Sequence, residues 1–193
     1  GERDVTIAWE LVGPADAPPA PWHVIGLPQQ AKPFTRFSVV TLDGQRVLKI
    51  DADASYGVLV HSVLEPSGGH VLRWRWRLDQ PLSGGTAAPD LTTKAGDDAA
   101  LKVCALFDHP LERVPFVERT VLRIARSVSG EALPAATVCY VWDSAHPAGR
   151  QGTNPYTRRV RYISLRGSEA PTGQWLSEQR DLARDFATLF ADE

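Results

Sequence analysis

The stretch "LRWRWRLD", residues 72–79, alternates strictly between apolar and charged side chains. Leu72, Trp74, Trp76 and Leu78 fall on one side of a period-two chain, and Arg73, Arg75, Arg77 and Asp79 on the other. This is the pattern of a strand with its tryptophan side in a core. Its other side raises the functional question: the arginines face a carboxylate of the protein, an acidic ligand, or water.

Working outward, the flanking segments read as further strands. In "FTRFSVVTLDGQRVLKIDAD", Asp43-Gly44 is a two-residue turn signal between runs rich in Val, Leu and Ile, which predicts a hairpin. "SYGVLVHSVLEP" follows as a third strand, and "AALKVCALFD" comes after a Gly/Pro/Thr-rich loop. "ATVCYVWD" and "RRVRYISLRG" add β-branched and aromatic runs. Two segments carry helical periodicity instead. Val117, Val121, Ile124, Ala125 and Val128 predict a helix near 115–129, stopped by Gly130. Leu182, Phe186, Leu189 and Phe190 predict one near 177–191, N-capped by Ser177 and packed on a sheet. Short strands joined by Gly/Pro turns imply a mainly β fold, a jelly-roll-like antiparallel β-sandwich with two accessory α-helices, with an α+β sheet as the fallback.

A chain of 193 residues suits one domain with a filled core. Residues 13–33 hold six prolines, so residues 1–34 read as an extended, irregular arm tacked down by Trp22, and 35–193 as the domain. The composition, 43% hydrophobic and 23% charged, is that of a globular protein, and no apolar run approaches the ~18 residues of a membrane span. A net charge of -2 gives no global attraction to nucleic acid, which is not expected as a partner. Basic residues are skewed to arginine, 17 against 4 lysines, which suits planar bidentate recognition but equally a compositional bias. No methionine occurs, even at position 1, and a removed signal peptide fits that start. Cys104 and Cys139 lie in two apolar strands, and two cysteines are not a disulfide framework; they read as buried thiols ahead of a disulfide.

In order along the chain, "LRWRWRLD", "KAGDDAALKVCALFD", "CYVWD", "NPYTRRVRYISLRG" and "GQWLSEQRDLARDFATLF" resemble the bacterial family catalogued as domain of unknown function 3047. The resemblance runs from about Lys49 to about Phe190. It implies an exported, periplasmic or otherwise envelope-located protein and hands over no catalytic residues.

Three places can hold chemistry. Lys94, Asp97 and Asp98 stand before the strand expected to pair with the arginine strand. The aspartates read first as bidentate partners of Arg73, Arg75 or Arg77, and secondly as an acid/base pair or a calcium site, the one cofactor considered. The arginine stripe, with Lys102 and Arg161 alongside, reads either as a solvated face or as a surface for carboxylates of an acidic sugar polymer. The loop "WDSAHPAGRQGTNPYTRR" gathers Asp143, His146, Arg150, Asn154 and Tyr156, and Trp142, Tyr156 and Trp175 supply rings on which sugars stack. No nucleophile elbow, zinc-binding or phosphate-loop motif is present, and His61 reads as structural.

The leading expectation is a non-enzymatic envelope module that binds a glycan, acidic or neutral, through Arg73, Arg75, Arg77, Trp142, Arg150, Asn154, Tyr156 and Trp175. A glycan-active lyase or hydrolase using Asp97 or Asp98 with His146 or Tyr156 is the alternative. A module docking on an envelope protein is the third reading.

Overall fold

The structure is a computed structural model that describes residues 17–27, 29–61, 71–82, 99–129 and 134–193. The chain divides into two compact units, Gly1–Pro66 and Ser67–Glu193. In the first, strand β1 (His23–Ile25) pairs antiparallel with β4 (Val58–Val60), and β2 (Arg36–Leu42) forms a hairpin with β3 (Gln45–Asp51). The hairpin turns at the expected Asp43-Gly44, whose φ values of 51° and 76° are both left-handed, as a turn matching strand twist requires. Val39 and Val47 are its buried residues. The Pro-rich arm is less irregular than its composition suggests, since His23–Ile25 joins a ladder. Trp22 does anchor it, edge-on to the His61 ring at 4.8 Å, and that packing gives His61 its structural place.

The second unit is built on a four-stranded sheet in the order β6-β7-β9-β8 and a two-stranded ribbon. In chain order its elements are β5 (Val71–Trp76), β6 (Leu101–Phe107), α1 (Phe116–Ser129), β7 (Ala136–Trp142), β8 (Gln151–Thr153), β9 (Val160–Arg166), β10 (Leu176–Asp181) and α2 (Leu182–Leu189). The protein is thus mainly β, and among the described residues it has two α-helices and its strands pair antiparallel with one exception. β7 and β9 run parallel. The chain between them, residues 143–159, is long enough to return to the same end of the sheet, which parallel pairing demands.

The tryptophan strand does not pair with the segment after the long loop. β5 pairs with β10, in the register Ser177↔Arg75, Glu178↔Trp74 and Gln179↔Arg73. Residues 177–181, expected as the first turn of the last helix, are therefore strand, and Ser177 is not a cap. Helix α2 begins at Leu182, where the Asp181 side chain accepts from the Arg184 backbone N–H at 3.1 Å. The first helix starts one residue inside its expected position.

All seven residues of β7 are buried, so both faces of the sheet need cover. On one face Ala136, Val138 and Tyr140 pack with Ile163 and Phe190, against Leu72, Trp74, Phe107, Leu182 and Phe186. Trp142 continues this face against Trp76 and Leu78. The rings interlock: Trp74–Tyr140 at 5.3 Å, Trp74–Trp76 at 5.4 Å and Trp76–Trp142 at 5.7 Å between centroids. Each such contact contributes about 0.5–1.5 kcal/mol beyond simple burial.

On the other face Cys139 and Val141 pack with Tyr162, Cys104 and Val160. Here the expectation of free thiols is corrected, because Cys104 and Cys139 form a disulfide. They are directly opposite in the β6–β7 register, with Cα atoms 4.1 Å apart. Spacing alone does not reveal that register. The bond closes a loop with a sequence separation of 35, for which chain entropy gives a stabilisation on the order of 3–4 kcal/mol. Reduction, or the Cys104→Ala/Cys139→Ala pair, is expected to lower the urea midpoint by that equivalent. A midpoint that does not move on reduction would show that the bond contributes nothing to folding.

Helix α2 is held to β7 by a buried polar lock. The Tyr140 hydroxyl donates to Asp185 Oδ2 at 2.7 Å, and Arg180 donates to both Asp185 oxygens at 2.9 and 2.8 Å. Burial alone pushes the Asp185 carboxyl up, but the bonds from Arg180 and Tyr140 outweigh it and hold the group below its ordinary value. A depressed carboxyl contributes stability that is present above its unfolded-state value and lost as pH falls through the folded one. Asp185→Asn should therefore cost about 2 kcal/mol at neutral pH, since it leaves Arg180 and Tyr140 short of an acceptor. In acid the gap between variant and parent should close; urea melts at pH 7 and pH 3 measure both effects.

Candidate functional site

The arginines of the second unit sort by burial. Arg159 and Arg161 are buried in β9 and its approach. Arg159 bonds Glu118 at 2.7 Å and also Glu193, and Arg161 bonds Asp192 and the Leu189 carbonyl at 2.8 Å. Arg166 bonds Glu178 at 2.6 Å, and Glu178 also accepts from the Trp76 indole N–H at 3.3 Å. Arg180 is held by Asp185. The carboxylates of Glu118, Glu178, Asp185, Asp192 and Glu193 are therefore committed to arginines that sit partly or wholly in the core, as the cost of an unpaired buried charge requires. Arg161, expected beside the arginine stripe, belongs to this buried set.

Arg73 and Arg75 differ. They are exposed on the outer face of β5, and their cross-strand neighbours on β10 are the exposed Gln179 and Ser177. Arg73 Nε donates to Gln179 Oε1 at 3.0 Å. The Arg75 guanidinium lies over the Trp175 ring, 4.9 Å from its centroid. Arg73, Arg75, Ser177 and Gln179 line an open groove of about 500 Å³ along the ribbon, floored by Trp74 and Glu178. Arg77, past the end of β5, is tied to Asp79 at 2.7 Å. The groove is shallow, cationic and bordered by neutral hydrogen-bonding groups, with one aromatic ring at its end. Such a surface can bind an extended anionic ligand, but it does not enclose one.

The remaining expected residues divide. Trp142 is 1% exposed, between Trp76 and the core, so its ring cannot meet a ligand and it leaves the binding set. Asn154 caps the β8–β9 turn, its Oδ1 accepting from the Tyr156 and Thr157 N–H groups at 2.8 and 3.3 Å. It also lines a cavity of about 20 Å³ with Lys102, Val141 and Tyr162, on the disulfide side of the sheet and large enough for a single water. Tyr156 stands out at 65% exposure on the same turn. Arg150 is half-buried where the loop after β7 rejoins β9, its backbone N–H bonding Ser164 Oγ at 3.0 Å. None of these four lines the ribbon groove. Lys94, Asp97 and Asp98 lie outside the described residues.

The loop after β7 is organised by Asp143. Its buried carboxylate accepts from the Ala145 N–H at 2.8 Å, and Oδ2 stands 3.5 Å from His146 Nδ1. The carboxylate and the imidazole are thus neighbours without a hydrogen bond between the side chains. Among the described residues no cluster of three His, Cys, Asp or Glu side chains is placed to hold a metal. The loop is seated on Gly167, where a Cβ would overlap the His146 carbonyl oxygen and the Ala148 nitrogen. Gly167→Ala should unseat it at a cost of roughly 1–3 kcal/mol, read as a lower melting temperature. A fully stable Gly167→Ala protein would mean that the loop has room to shift.

Sequence reasoning missed Ser177 and Gln179. Their i, i+2 spacing with Asp181 was the available signal, hidden by the helical stripe that follows.

The family described as protein of unknown function (DUF3047) matches residues 20–193, nearly the whole chain. No curated protein and no solved structure matches it.

Proposed function

We propose a binding role for this chain, which belongs to the DUF3047 family of proteins of unknown function: an exported protein of jelly-roll-like build whose β5–β10 ribbon binds an acidic glycan. The observation that carries this reading is the pairing of exposed Arg73 and Arg75 with Gln179, Ser177 and Trp175 on one outer face. A guanidinium takes a carboxylate through two parallel N–H bonds, and strand geometry sets the two guanidinium stems about 7 Å apart along the chain. Ser177 and Gln179 supply bonds for sugar hydroxyls, and Trp175 offers a face for an apolar sugar surface. The disulfide supports the export half of the reading, since such bonds persist in oxidising compartments.

One observation favours a second reading, in which the protein acts on the glycan. Asp143 Oδ2 stands 3.5 Å from His146 Nδ1, so a carboxylate lies beside a potential general base. The expected acid partners Asp97 and Asp98 would have to complete that site, so a lyase or hydrolase stays the alternative.

Oligogalacturonate, a chain of carboxylated sugars, is expected to raise the melting temperature, while a neutral oligosaccharide of equal length raises it less. Arg73→Ala/Arg75→Ala should weaken binding at least tenfold, since each charge-assisted bond contributes about 1.5–3 kcal/mol, and added salt should weaken the parent protein's binding too. Equal responses to acidic and neutral chains would remove the arginines from the site. Release of shortened or unsaturated oligosaccharide, lost in His146→Ala, would establish the enzymatic reading.

A further inference from the structure

Helix α1 is inside out. Positions 116, 117, 120, 121 and 124 share one face at 3.6 residues per turn, and on that face Phe116, Val117, Val121 and Ile124 are 75%, 72%, 61% and 59% exposed. The stripe that periodicity alone would assign to the core points away from it. What fastens the helix is its opposite side. Leu122 packs with Val114, Ala135 and Leu111. Glu118 bonds Arg159 at 2.7 Å and Arg158 at 3.4 Å, and Arg119 donates to the carbonyls of Val114 and Glu112 at 3.0 and 3.1 Å.

The charge around this face is positive although the whole chain carries -2. Residues 111–129 contain Arg113, Arg119, Arg123 and Arg126 against Glu112 and Glu118, and Glu118 is already neutralised by two arginines. Arg113 before the helix and Arg123 at its middle are exposed, so cations stand beside the apolar face.

A second copy of the chain is a poor cover for so small a face. A 14-residue helix presents a strip about 21 Å by 10 Å, so a symmetric pair would bury roughly 400 Å², against about 1,200 Å² for a stable interface. A lipid surface needs no matching partner shape. It takes an amphipathic helix flat, with the apolar side chains among the acyl chains and the arginines at the headgroups.

We propose that α1 docks the protein on an anionic lipid surface, lying in the interface plane with Phe116, Val117, Val121 and Ile124 inserted and Arg113 and Arg123 on headgroup phosphates. This is peripheral attachment: no helix among the described residues is long and apolar enough to cross a membrane.

Co-sedimentation of the full chain with vesicles tests it. Binding is expected to phosphatidylcholine vesicles that contain phosphatidylglycerol, and to fall at least tenfold with phosphatidylcholine alone. Val121→Asp/Ile124→Asp should abolish it with an unchanged melting temperature, since both side chains already face solvent. Arg113→Glu/Arg123→Glu, which leaves the apolar face intact, should weaken it several-fold. The Arg73→Ala/Arg75→Ala protein should bind the vesicles as the parent does. The proposal is overturned by absence of binding to the anionic vesicles, or by loss of binding in the Arg73/Arg75 variant alone. It is equally overturned if sedimentation velocity shows a dimer that Val121→Asp/Ile124→Asp dissociates, because a second copy would then occupy the face.

Discussion

Burial of both faces of β7 governs the arrangement of the second unit. A strand with seven buried residues offers no solvent side, so each face of its sheet must be roofed. On the Tyr140–Trp142 side the roof is the β5–β10 ribbon together with α2, and the side chains that seal it are Trp74, Trp76, Phe186 and Phe190. Once the tryptophans of β5 point inward, strand geometry sends Arg73 and Arg75 outward. The groove is therefore a consequence of how the core is closed. Along the strand, Arg73 lies between Leu72 and Trp74 and Arg75 between Trp74 and Trp76, all packed inward.

The ribbon's inner face also carries Glu178 and Arg180, and the core admits them only because each is met. Glu178 receives Arg166 and the Trp76 indole, and Arg180 grips Asp185. The buried Arg159 and Arg161 follow the same rule with Glu118, Asp192 and Glu193. Removing one member of such a pair leaves an uncompensated charge, which is far more costly than the pair is favourable. This sorting leaves Arg73 and Arg75 on the exposed face of the ribbon, while Glu178 and Asp185 are committed inward.

The sequence is legible where side-chain polarity tracks burial and opaque where it does not. Residues 72–76 show their strand because apolar and charged positions alternate, and Asp43-Gly44 shows its turn because few residues adopt left-handed φ without strain. β10 hides because its inward positions are Leu176, Glu178 and Arg180, so hydrophobic alternation disappears when partners satisfy the charges. The true stripe of α2 then reads backward over it. The Cys104–Cys139 bond and the pairing of β5 with β10 are facts of register between distant segments, which local pattern does not contain. Helix α1 is the reverse case: its periodicity is correct, and the inference from apolar to buried is what fails. Of the candidate site, Arg73 and Arg75 were readable as a cationic strand and Trp175 as a ring near a turn, but not as neighbours, whereas Trp142 misled because a tryptophan near a turn reads the same whether it faces out or in.

A strongly perturbed group does not by itself mark a catalytic site. Catalytic groups are tuned by burial and partners while staying open to a substrate. The Tyr140 phenol has the tuning without the opening: burial first, and then its bond to the Asp185 carboxylate, push it well above its ordinary range. It is 0% exposed and its hydroxyl is already donating to α2. The Arg180–Asp185–Tyr140 cluster is thus a fastening, with no unfilled position where a reacting atom could sit. The ribbon face is the opposite, accessible to a ligand but open to water, and an open site cannot exclude solvent around a developing charge as catalysis of glycosidic bonds favours. In the proposed reading, the exposed Arg73 and Arg75 hold an anionic chain along the strand.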